Sequence, residues 1–192
     1  SLIHDDVVDN SELRRGEKTL NNFLGNHMSV LWGDFLFINA FMRLHDLRRP
    51  FIMDVIYKAA KLMVEGQIIE LENQFNLDVE RPVYYDTIDK KTSSLFAAVT
   101  HIAAGLGNES PEAQQRYYQF GMDVGTIFQV SDDMLDIFSD QTGKDRFSDL
   151  KEGKTTLPYI LLMEHCPAEI NVKKLLEDKD EARLLELFET YK

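Results

Sequence analysis

Two clusters of aspartates, one near the start of the chain and one far downstream, are the residues best suited to chemistry. Each has the spacing DDxxD, and their members are Asp5, Asp6 and Asp9, then Asp132, Asp133 and Asp136. On a helix, positions i and i+4 lie about one turn apart on one face, so the outer aspartates of each cluster stack. Like charges stacked this way destabilise a helix and are costly to bury without a cation. Oxygen-only clusters favour hard ions, and Mg²⁺ binds through one or two carboxylates plus substrate phosphates.

The surroundings of both clusters favour bound metal over a solvated acidic helix face. Apolar side chains flank the clusters, among them Val7, Val8, Met134 and Leu135. Basic residues follow the clusters, namely Arg14, Arg15, Lys144 and Lys154. Arginine offers a planar fork that binds phosphate oxygens, so cations beside a Mg²⁺ site suit a phosphorylated ligand. Spacing alone leaves two reactions open: ionisation of a diphosphate ester and hydrolysis of a phosphate.

Other polar and aromatic residues have both a functional and a structural interpretation. Gln129 precedes Asp133 by one helical turn and can share its polar face, whereas a buried core glutamine is the alternative. Lys91 and Thr92 lie in the middle of a predicted helix, where an exposed surface position is the simplest interpretation. A set of aromatic residues is interpreted as core, or as the wall of an apolar pocket: Phe35, Phe37, Phe41, Phe96, Phe120 and Phe128.

The composition is that of a globular protein and argues against some partners. Hydrophobic residues make up 44% and charged residues 28% of the 192 residues, which is ordinary for a globular domain. The net charge of −12 argues against nucleic-acid binding, which needs a basic face, but permits a polyanionic substrate beside metals. One cysteine, Cys166, excludes an internal disulfide and favours a reducing, cytoplasmic compartment. The sequence contains no apolar run of about 18 residues, so no membrane-spanning helix is predicted.

Apolar residues recur at helical spacing along most of the chain and predict an all-α protein. The predicted helices cover residues 2–9, 20–47 with a kink near Gly25, 50–73, 84–106 and 111–138, with shorter ones ending at 165, 176 and 191. Residues 10–18 and 141–156 are predicted to be loops. Several helices near 25 residues in length indicate a bundle of long antiparallel helices around a central site.

The chain resembles the trans-isoprenyl diphosphate synthases, which form the polyprenyl synthetase family. The resemblance is to the bacterial medium- and long-chain type. Residues 2–9, followed by Arg14, Arg15 and Gly16, are similar to the first aspartate-rich motif of that family. The later motifs keep the family's order: Gly33-Asp34, Glu65-Gly66-Gln67, Lys91-Thr92, Phe128-Gln129, the second DDxxD, Gly143-Lys144, Asp149 and Gly153-Lys154. The resemblance extends to about Leu162.

The resemblance implies the type I isoprenoid synthase fold with its central cavity, usually as a homodimer, and a reaction. Isopentenyl diphosphate is condensed head to tail with an allylic diphosphate such as farnesyl diphosphate. About three Mg²⁺, with Mn²⁺ as an alternative ion, are implied on the allylic diphosphate, held by Asp5, Asp9, Asp132 and Asp136. The same likeness assigns contacts with that diphosphate, or with its departure, to Arg14, Lys91, Thr92, Gln129 and Lys144. Arg15 would hold isopentenyl diphosphate, and Lys154 would lie close to the leaving group. The implied catalytic set is Asp5, Asp9, Lys91, Asp132 and Lys144.

One departure from the family pattern concerns the start of the chain. The family carries a Gly-Lys-x-x-Arg-Pro motif upstream of the first DDxxD, where its Lys and Arg bind isopentenyl diphosphate. This chain starts at Ser1, inside a helical pattern. We therefore expect residues 1–192 to be a single isoprenoid synthase domain that lacks N-terminal helices, and the pattern at Tyr191 suggests a cut C-terminus too. These residues alone would be expected to bind metal and allylic diphosphate but to elongate poorly, and product length stays open.

Three alternatives compete with prenyl transfer. A terpene cyclase of the same fold normally carries an Asn/Ser/Glu-type triad in place of the second DDxxD, and this chain has three aspartates there. A non-catalytic subunit of a heteromeric synthase typically loses the aspartates, and both sets are present. A plain helical interaction module leaves the paired clusters unexplained.

Overall fold

The computed structural model describes residues 1–138 and 146–191, and most of them are helical. They form two compact units, one of residues Ser1–Asp54 and one of residues 55–138 with 146–191. This architecture confirms the predicted all-α fold class, whereas the organisation of residues 1–192 as one domain stays a prediction. In this described part of the chain, no helix is both long and apolar enough to cross a membrane.

The first unit contains a short hairpin between its helices. Its elements are α1 (Leu2–Val8), β1 (Leu13–Arg14), β2 (Glu17–Lys18), α2 (Leu20–Leu24) and α3 (Asn26–Asp46), and the two strands pair antiparallel. The prediction of a plain loop over residues 10–18 is therefore wrong. Arg15 and Gly16, at the turn, have φ values of 55° and 81°, the positive angles that a type I′ hairpin turn requires. Gly25, with φ 80°, separates α2 from α3 and confirms the kink predicted there.

A π-helical segment interrupts the helix predicted over residues 84–106 in the second unit. The helices after α3 are α4 (Pro50–Glu72), whose first residues belong to the first unit, α5 (Arg81–Ile88), α6 (Ser94–Leu106), α7 (Pro111–Phe138), α8 (Ser148–Lys151), α9 (Leu157–His165), α10 (Val172–Glu177) and α11 (Glu181–Thr190). The π-helical segment, Asp89–Ser93, joins α5 to α6, so the helix predicted over 84–106 begins earlier and contains a wider turn. Such turns are frequent at functional sites, and this one contains Lys91 and Thr92.

The core of the second unit reaches into the segment that the sequence predicted as a loop over 141–156. In its described part, Phe147 and Leu150 are buried beside α8. They belong to a cluster with residues of α7, α9, α10 and α11, namely Ile137, Tyr159, Leu162, Val172, Leu176, Leu184, Leu187 and Phe188. Two apolar residues in a charged segment are enough to anchor it, and this is why the loop prediction is wrong for residues 148–151.

Two glycines let helices of the second unit approach the π-helical segment closely. A Cβ atom on Gly125 of α7 would lie 2.5 Å from the Cα atom of Ser93. A Cβ atom on Gly66 of α4 would lie 2.5 Å from the backbone nitrogen of Lys91. Side-chain atoms do not fit at such distances, so glycine is needed at both contacts. These contacts hold Lys91 and its neighbours between α4 and α7.

Replacing Gly125 with alanine is expected to lower the free energy of unfolding by about 1–3 kcal/mol, because the atom it meets is backbone and cannot move cheaply. Urea unfolding followed by circular dichroism measures the change. Gly107→Ala is the matched control, since its Cβ would meet no atom closer than 3.4 Å, and we expect a change within about 0.5 kcal/mol. Equal losses in both variants would contradict close packing at Gly125.

Several aromatic residues that the sequence assigned to the core are exposed. Phe35, Phe37, Phe120 and Phe128 have 46% to 58% of their surface exposed. The core interpretation is therefore wrong for these four, and the pocket-wall alternative stays a prediction.

Candidate functional site

The first aspartate cluster lies on α1 and at its C-cap, which is Asp9. Ser1 caps this helix, and its hydroxyl accepts a hydrogen bond from the backbone N–H of His4. Asp5 and Asp9 are both half-buried, and the backbone N–H of Asp9 donates to the carbonyl oxygen of Asp5 at 2.8 Å. This bond places the two residues one turn apart, so their side chains leave the same face of the helix, as the spacing predicted.

The middle aspartate of this cluster, Asp6, is bound to the hairpin. Asp6 is only 5% exposed, and its Oδ1 accepts a hydrogen bond from Nε of Arg14 at 2.7 Å. Its carbonyl oxygen accepts from the backbone N–H of Ser11 at 2.9 Å and from the side-chain amide of Asn21 at 3.3 Å. Arg14 is thereby fixed next to the cluster, whereas Arg15 lies exposed at the turn.

In the second unit, the π-helical segment presents Lys91 to a carboxylate of α4. The ammonium of Lys91 donates to Oε1 of Glu70 at 2.6 Å. The same oxygen accepts from the amide of Gln67 at 3.1 Å. Lys91 is half-buried, so the exposed helix position that its sequence context suggested is wrong. An ammonium has three donors, and the contact with Glu70 uses one of them.

A chain of hydrogen bonds links Thr92 to the second aspartate cluster. The Thr92 hydroxyl donates to Oε1 of Gln129 at 2.8 Å, and the Gln129 amide donates to Oδ1 of Asp133 at 2.9 Å. The phenol of Tyr84 donates to Oδ2 of Asp133 at 2.5 Å. The contacts of Gln129 confirm that it shares the polar face with Asp133, as predicted.

Asp133 is the most deeply placed member of this chain of hydrogen bonds, at 3% exposed. Burial raises the pKa of Asp133, and the hydrogen bonds from Tyr84 and Gln129 offset part of that rise. Burial, followed by the nearby Asp133 carboxylate, raises the pKa of Tyr84. The phenol therefore stays protonated at neutral pH and acts as the donor.

The outer aspartates of the second cluster have different surroundings. Asp132 is exposed. Asp136 is half-buried, and its Oδ1 accepts from both the backbone N–H, at 3.0 Å, and the hydroxyl of Ser148. Its Oδ2 accepts from the backbone N–H of Asp149 at 3.2 Å. Asp136 thus anchors the start of α8, and its role as a metal ligand stays a prediction.

Residues of α8 and of the segment just after it bring further charge close to the second cluster. Loss of contact with water, followed by repulsion from Asp136 and Asp133, raises the pKa of Asp149 well above its usual value, whereas Lys154 opposes the rise. The ammonium of Lys154 also pairs with Glu152 at 2.6 Å. Lys154 therefore lies near Asp149, and its place close to the leaving group stays a prediction.

One predicted site residue lies outside the described part of the chain, and the sequence analysis did not identify two residues that contact site residues. Lys144, predicted as catalytic and substrate-binding, lies outside the described residues. Tyr84 and Glu70 were not predicted, although they hold Asp133 and Lys91. Tyr84 contacts a residue 49 positions away and Glu70 one 21 positions away, so no local spacing could have identified them.

The carboxylates fit a hard divalent cation that is held together with a phosphorylated ligand. Among residues 1–138 and 146–191, no group of three or more His, Cys, Asp or Glu side chains is arranged to hold an ion by itself. Mg²⁺ is usually bound by one or two carboxylates plus substrate phosphates rather than by an all-protein cage. The Asp5–Asp9 pair would supply such ligands, and Asp132 is the exposed carboxylate of the second cluster.

Comparison with known proteins gives consistent matches along nearly the whole chain. Residues 1–191 match the family described as polyprenyl synthetase. The chain is 38% identical to octaprenyl diphosphate synthase of Escherichia coli (strain K12), over 86% of this chain and 52% of that protein. It is 37% identical to the chloroplastic solanesyl diphosphate synthase 1 of Arabidopsis thaliana, over 87% of this chain and 42% of that protein. The chain thus spans about half the length of these curated relatives.

Solved structures share the fold. A polyprenyl synthase from Caulobacter crescentus CB15, complexed with calcium and isoprenyl diphosphate, matches with a TM-score of 0.91 at 30% identity. A decaprenyl diphosphate synthase from Rhodobacter capsulatus matches with a TM-score of 0.90 at 31% identity. Each match covers 99% of this chain and 61% of the other. These similarities confirm the isoprenoid synthase fold that the resemblance implied.

Proposed function

Because this chain belongs to the polyprenyl synthetase family, we propose that it carries the reaction centre of a trans-prenyltransferase. The enzyme condenses isopentenyl diphosphate head to tail with an allylic diphosphate such as farnesyl diphosphate, and a polyprenyl diphosphate results. The observation that carries the proposal is the pair of DDxxD clusters, each with a diphosphate-binding candidate fixed beside it. Arg14 is fixed next to the first cluster, and Gln129 and Thr92 next to the second.

The metal assignment follows from the accessible carboxylates. Asp5, Asp9 and Asp132, with Asp136 as a fourth candidate, would hold about three Mg²⁺ together with the allylic diphosphate. When bound, these ions supply Lewis acidity that stabilises negative charge on the departing diphosphate. The family match, and the calcium with which the Caulobacter crescentus polyprenyl synthase is complexed, support a divalent cation as the cofactor.

The polar side chains contribute to the same step. Arg14, Lys91, Thr92, Gln129 and Lys144 would contact the allylic diphosphate, with Arg15 on isopentenyl diphosphate and Lys154 near the leaving group. Fixed donors aimed at developing charge lower the barrier because they need no reorganisation during the reaction. The carbon–oxygen bond breaks and its electron pair leaves with the diphosphate. The double bond of isopentenyl diphosphate then attacks the allylic carbon, and a proton passes to the departing diphosphate.

Two further parts of the proposal concern assembly and location. A stripe on α3 exposes large apolar side chains at helical spacing, namely Leu31, Phe35, Ile38 and Met42. Such a surface suits burial against a second copy of the chain, so we include a homodimer in the proposal.

The single cysteine supports a reducing, cytoplasmic location. The comparisons lend no support to the terpene cyclase or the non-catalytic subunit.

The test is a condensation assay with full-length protein, labelled isopentenyl diphosphate, farnesyl diphosphate and Mg²⁺. We expect labelled products longer than farnesyl diphosphate, separated by chromatography after removal of the diphosphate. Omission of Mg²⁺ with added chelator is expected to abolish them, because the carboxylates then have no cation to hold. Absence of extension at saturating Mg²⁺ would overturn the proposed function.

A further inference from the structure

The second aspartate of each DDxxD cluster differs from the other two members. Asp6 and Asp133 are buried, at 5% and 3% exposed, whereas Asp5 and Asp9 are half-buried and Asp132 is exposed. Two clusters in different units of the protein thus share one arrangement. A buried carboxylate is stable only where charged or polar partners satisfy it. The partners of Asp6 and Asp133 therefore indicate what these two residues do.

Asp6 directs Arg14. The hydrogen bond runs from Nε of Arg14 to Oδ1 of Asp6 at 2.7 Å, and Asp6 is the more deeply buried partner. Binding through Nε fixes the plane of the guanidinium and leaves its outer edge, with two terminal nitrogens, as the part suited to phosphate oxygens. The hairpin turn fixes the backbone of Arg14, and Asp6 fixes the side chain.

Asp133 directs Gln129 and, through it, Thr92. The amide nitrogen of Gln129 donates to Oδ1 of Asp133 at 2.9 Å, and this bond fixes which end of the amide faces Asp133. The amide oxygen is then turned towards the Thr92 hydroxyl, which donates to it at 2.8 Å. Tyr84 donates to the other oxygen of Asp133 and prevents the carboxylate from rotating. One buried carboxylate thus sets the orientation of Gln129, a predicted diphosphate contact, and of the Thr92 hydroxyl that donates to it.

We propose that Asp6 and Asp133 are positioning residues rather than metal ligands, and that Tyr84 is a third positioning residue that acts through Asp133. This inference rests on the proposed function. Within each cluster the work is divided: the outer aspartates hold cations, and the buried one orients the side chains that bind the diphosphate. Loss of a positioning residue then weakens diphosphate binding and leaves the metal requirement unchanged.

For the first cluster, the experiment compares Asp6→Ala, Asp6→Asn and Asp5→Asn in the full-length protein. The readouts are the KM for farnesyl diphosphate and the Mg²⁺ concentration that gives half-maximal rate. Asp6→Ala is expected to raise the KM about tenfold, because Arg14 loses its charged partner, with the Mg²⁺ requirement within about twofold. Asp6→Asn keeps an acceptor for Nε and is expected to recover most of the loss. Asp5→Asn is expected to raise the Mg²⁺ requirement.

For the second cluster, the variants are Tyr84→Phe, Asp133→Asn, Thr92→Val and the Asp133→Asn/Thr92→Val double variant. Tyr84→Phe and Asp133→Asn are expected to raise the KM for farnesyl diphosphate without changing the Mg²⁺ requirement. Because Asp133 acts through Thr92, the double variant is expected to lose less than the product of the single losses. Tyr85→Phe, which changes the exposed neighbouring phenol, is the control and is expected to leave the KM unchanged.

The outcomes separate this inference from the proposed function. A wild-type enzyme that elongates, together with an Asp6→Asn or Asp133→Asn variant that needs several-fold more Mg²⁺, would overturn the positioning role alone. If the increases in KM of Asp133→Asn and Thr92→Val multiply in the double variant, the positioning role is overturned for the second cluster. A wild-type protein that shows no extension would overturn the proposed function and this inference with it.

Discussion

Replacing Asp5 or Asp132 with alanine is expected to lower kcat by about 1,000-fold. Each change removes a carboxylate that we propose to hold Mg²⁺ on the allylic diphosphate. A bound ion contributes several kcal/mol of charge stabilisation at the point where the diphosphate leaves, and about 4 kcal/mol corresponds to a factor of 1,000 in rate. The loss is expected in kcat as well as in substrate affinity, because the charge develops only as the carbon–oxygen bond breaks.

The same changes are not expected to unfold the protein. Asp5 and Asp9 are like charges one turn apart on α1, and such a pair destabilises a helix by about 0.2–0.5 kcal/mol. Asp5→Ala removes this repulsion, so the free energy of unfolding is expected to stay equal or to rise slightly. Activity and stability therefore change in opposite directions, as they do where a residue is kept for function.

Steady-state kinetics at saturating Mg²⁺, together with urea unfolding, measure both quantities. The matched controls are Asp46→Ala on α3 and Asp123→Ala on α7, two exposed aspartates outside the clusters. Both controls are expected to keep kcat within about twofold, since neither residue is a proposed metal ligand or diphosphate contact. Near-wild-type rates in both Asp5→Ala and Asp132→Ala would refute the metal assignment.

Replacing Lys91 with methionine is expected to lower kcat by about 100-fold. Methionine keeps much of the length and apolar character of the side chain but removes the ammonium. Loss of one preoriented donor to a developing negative charge typically costs about 100-fold or more in rate. The structure fixes this ammonium at 2.6 Å from Glu70, so the wild-type enzyme does not need to order a mobile lysine during the reaction. Arginine at this position is expected to restore charge but not geometry, and therefore to recover only part of the rate.

The neighbouring lysine provides a stringent control. Lys90 has almost the same exposure as Lys91, 28% against 25% of its side chain, and it pairs with Asp86 one turn away. Lys90→Met is expected to change kcat by no more than about twofold, because this pair is a surface ion pair of small energetic weight. Equal losses of kcat in Lys90→Met and Lys91→Met, measured under the same saturating conditions, would contradict the proposed role of Lys91.

The helices were largely predictable from sequence, because their signals are local. Pro50 and Pro111 start α4 and α7 as predicted, since proline is favoured in the first turn. Gly25 breaks the chain between α2 and α3 for an equally local reason. The π-helical turn at Asp89–Ser93 was not predictable, because it depends on the close approach of Gly66 and Gly125 from other helices. Tertiary contacts, rather than propensity, determine that segment.

The candidate site, like the helices, was predictable where its signals are local in sequence. The acidic spacing indicated which helices carry the site, and the contact between Gln129 and Asp133 followed from a one-turn offset. Spacing distinguished the outer aspartates, which share one helix face, but only the structure shows that Asp6 and Asp133 are buried. Their partners Arg14 and Tyr84 come from elements that spacing does not relate to them. The positioning role that we propose for Asp6 and Asp133 therefore required the three-dimensional structure.

The most direct test of the central claim determines which bond of the allylic diphosphate breaks. The full-length protein is incubated with farnesyl diphosphate, isopentenyl diphosphate and Mg²⁺ in ¹⁸O-labelled water, and all products are analysed by mass spectrometry. Prenyl transfer breaks the carbon–oxygen bond, so we expect longer prenyl diphosphates and released diphosphate without ¹⁸O. Inorganic phosphate carrying ¹⁸O, together with a prenyl monophosphate and no longer chains, would show phosphorus–oxygen cleavage and would contradict the account.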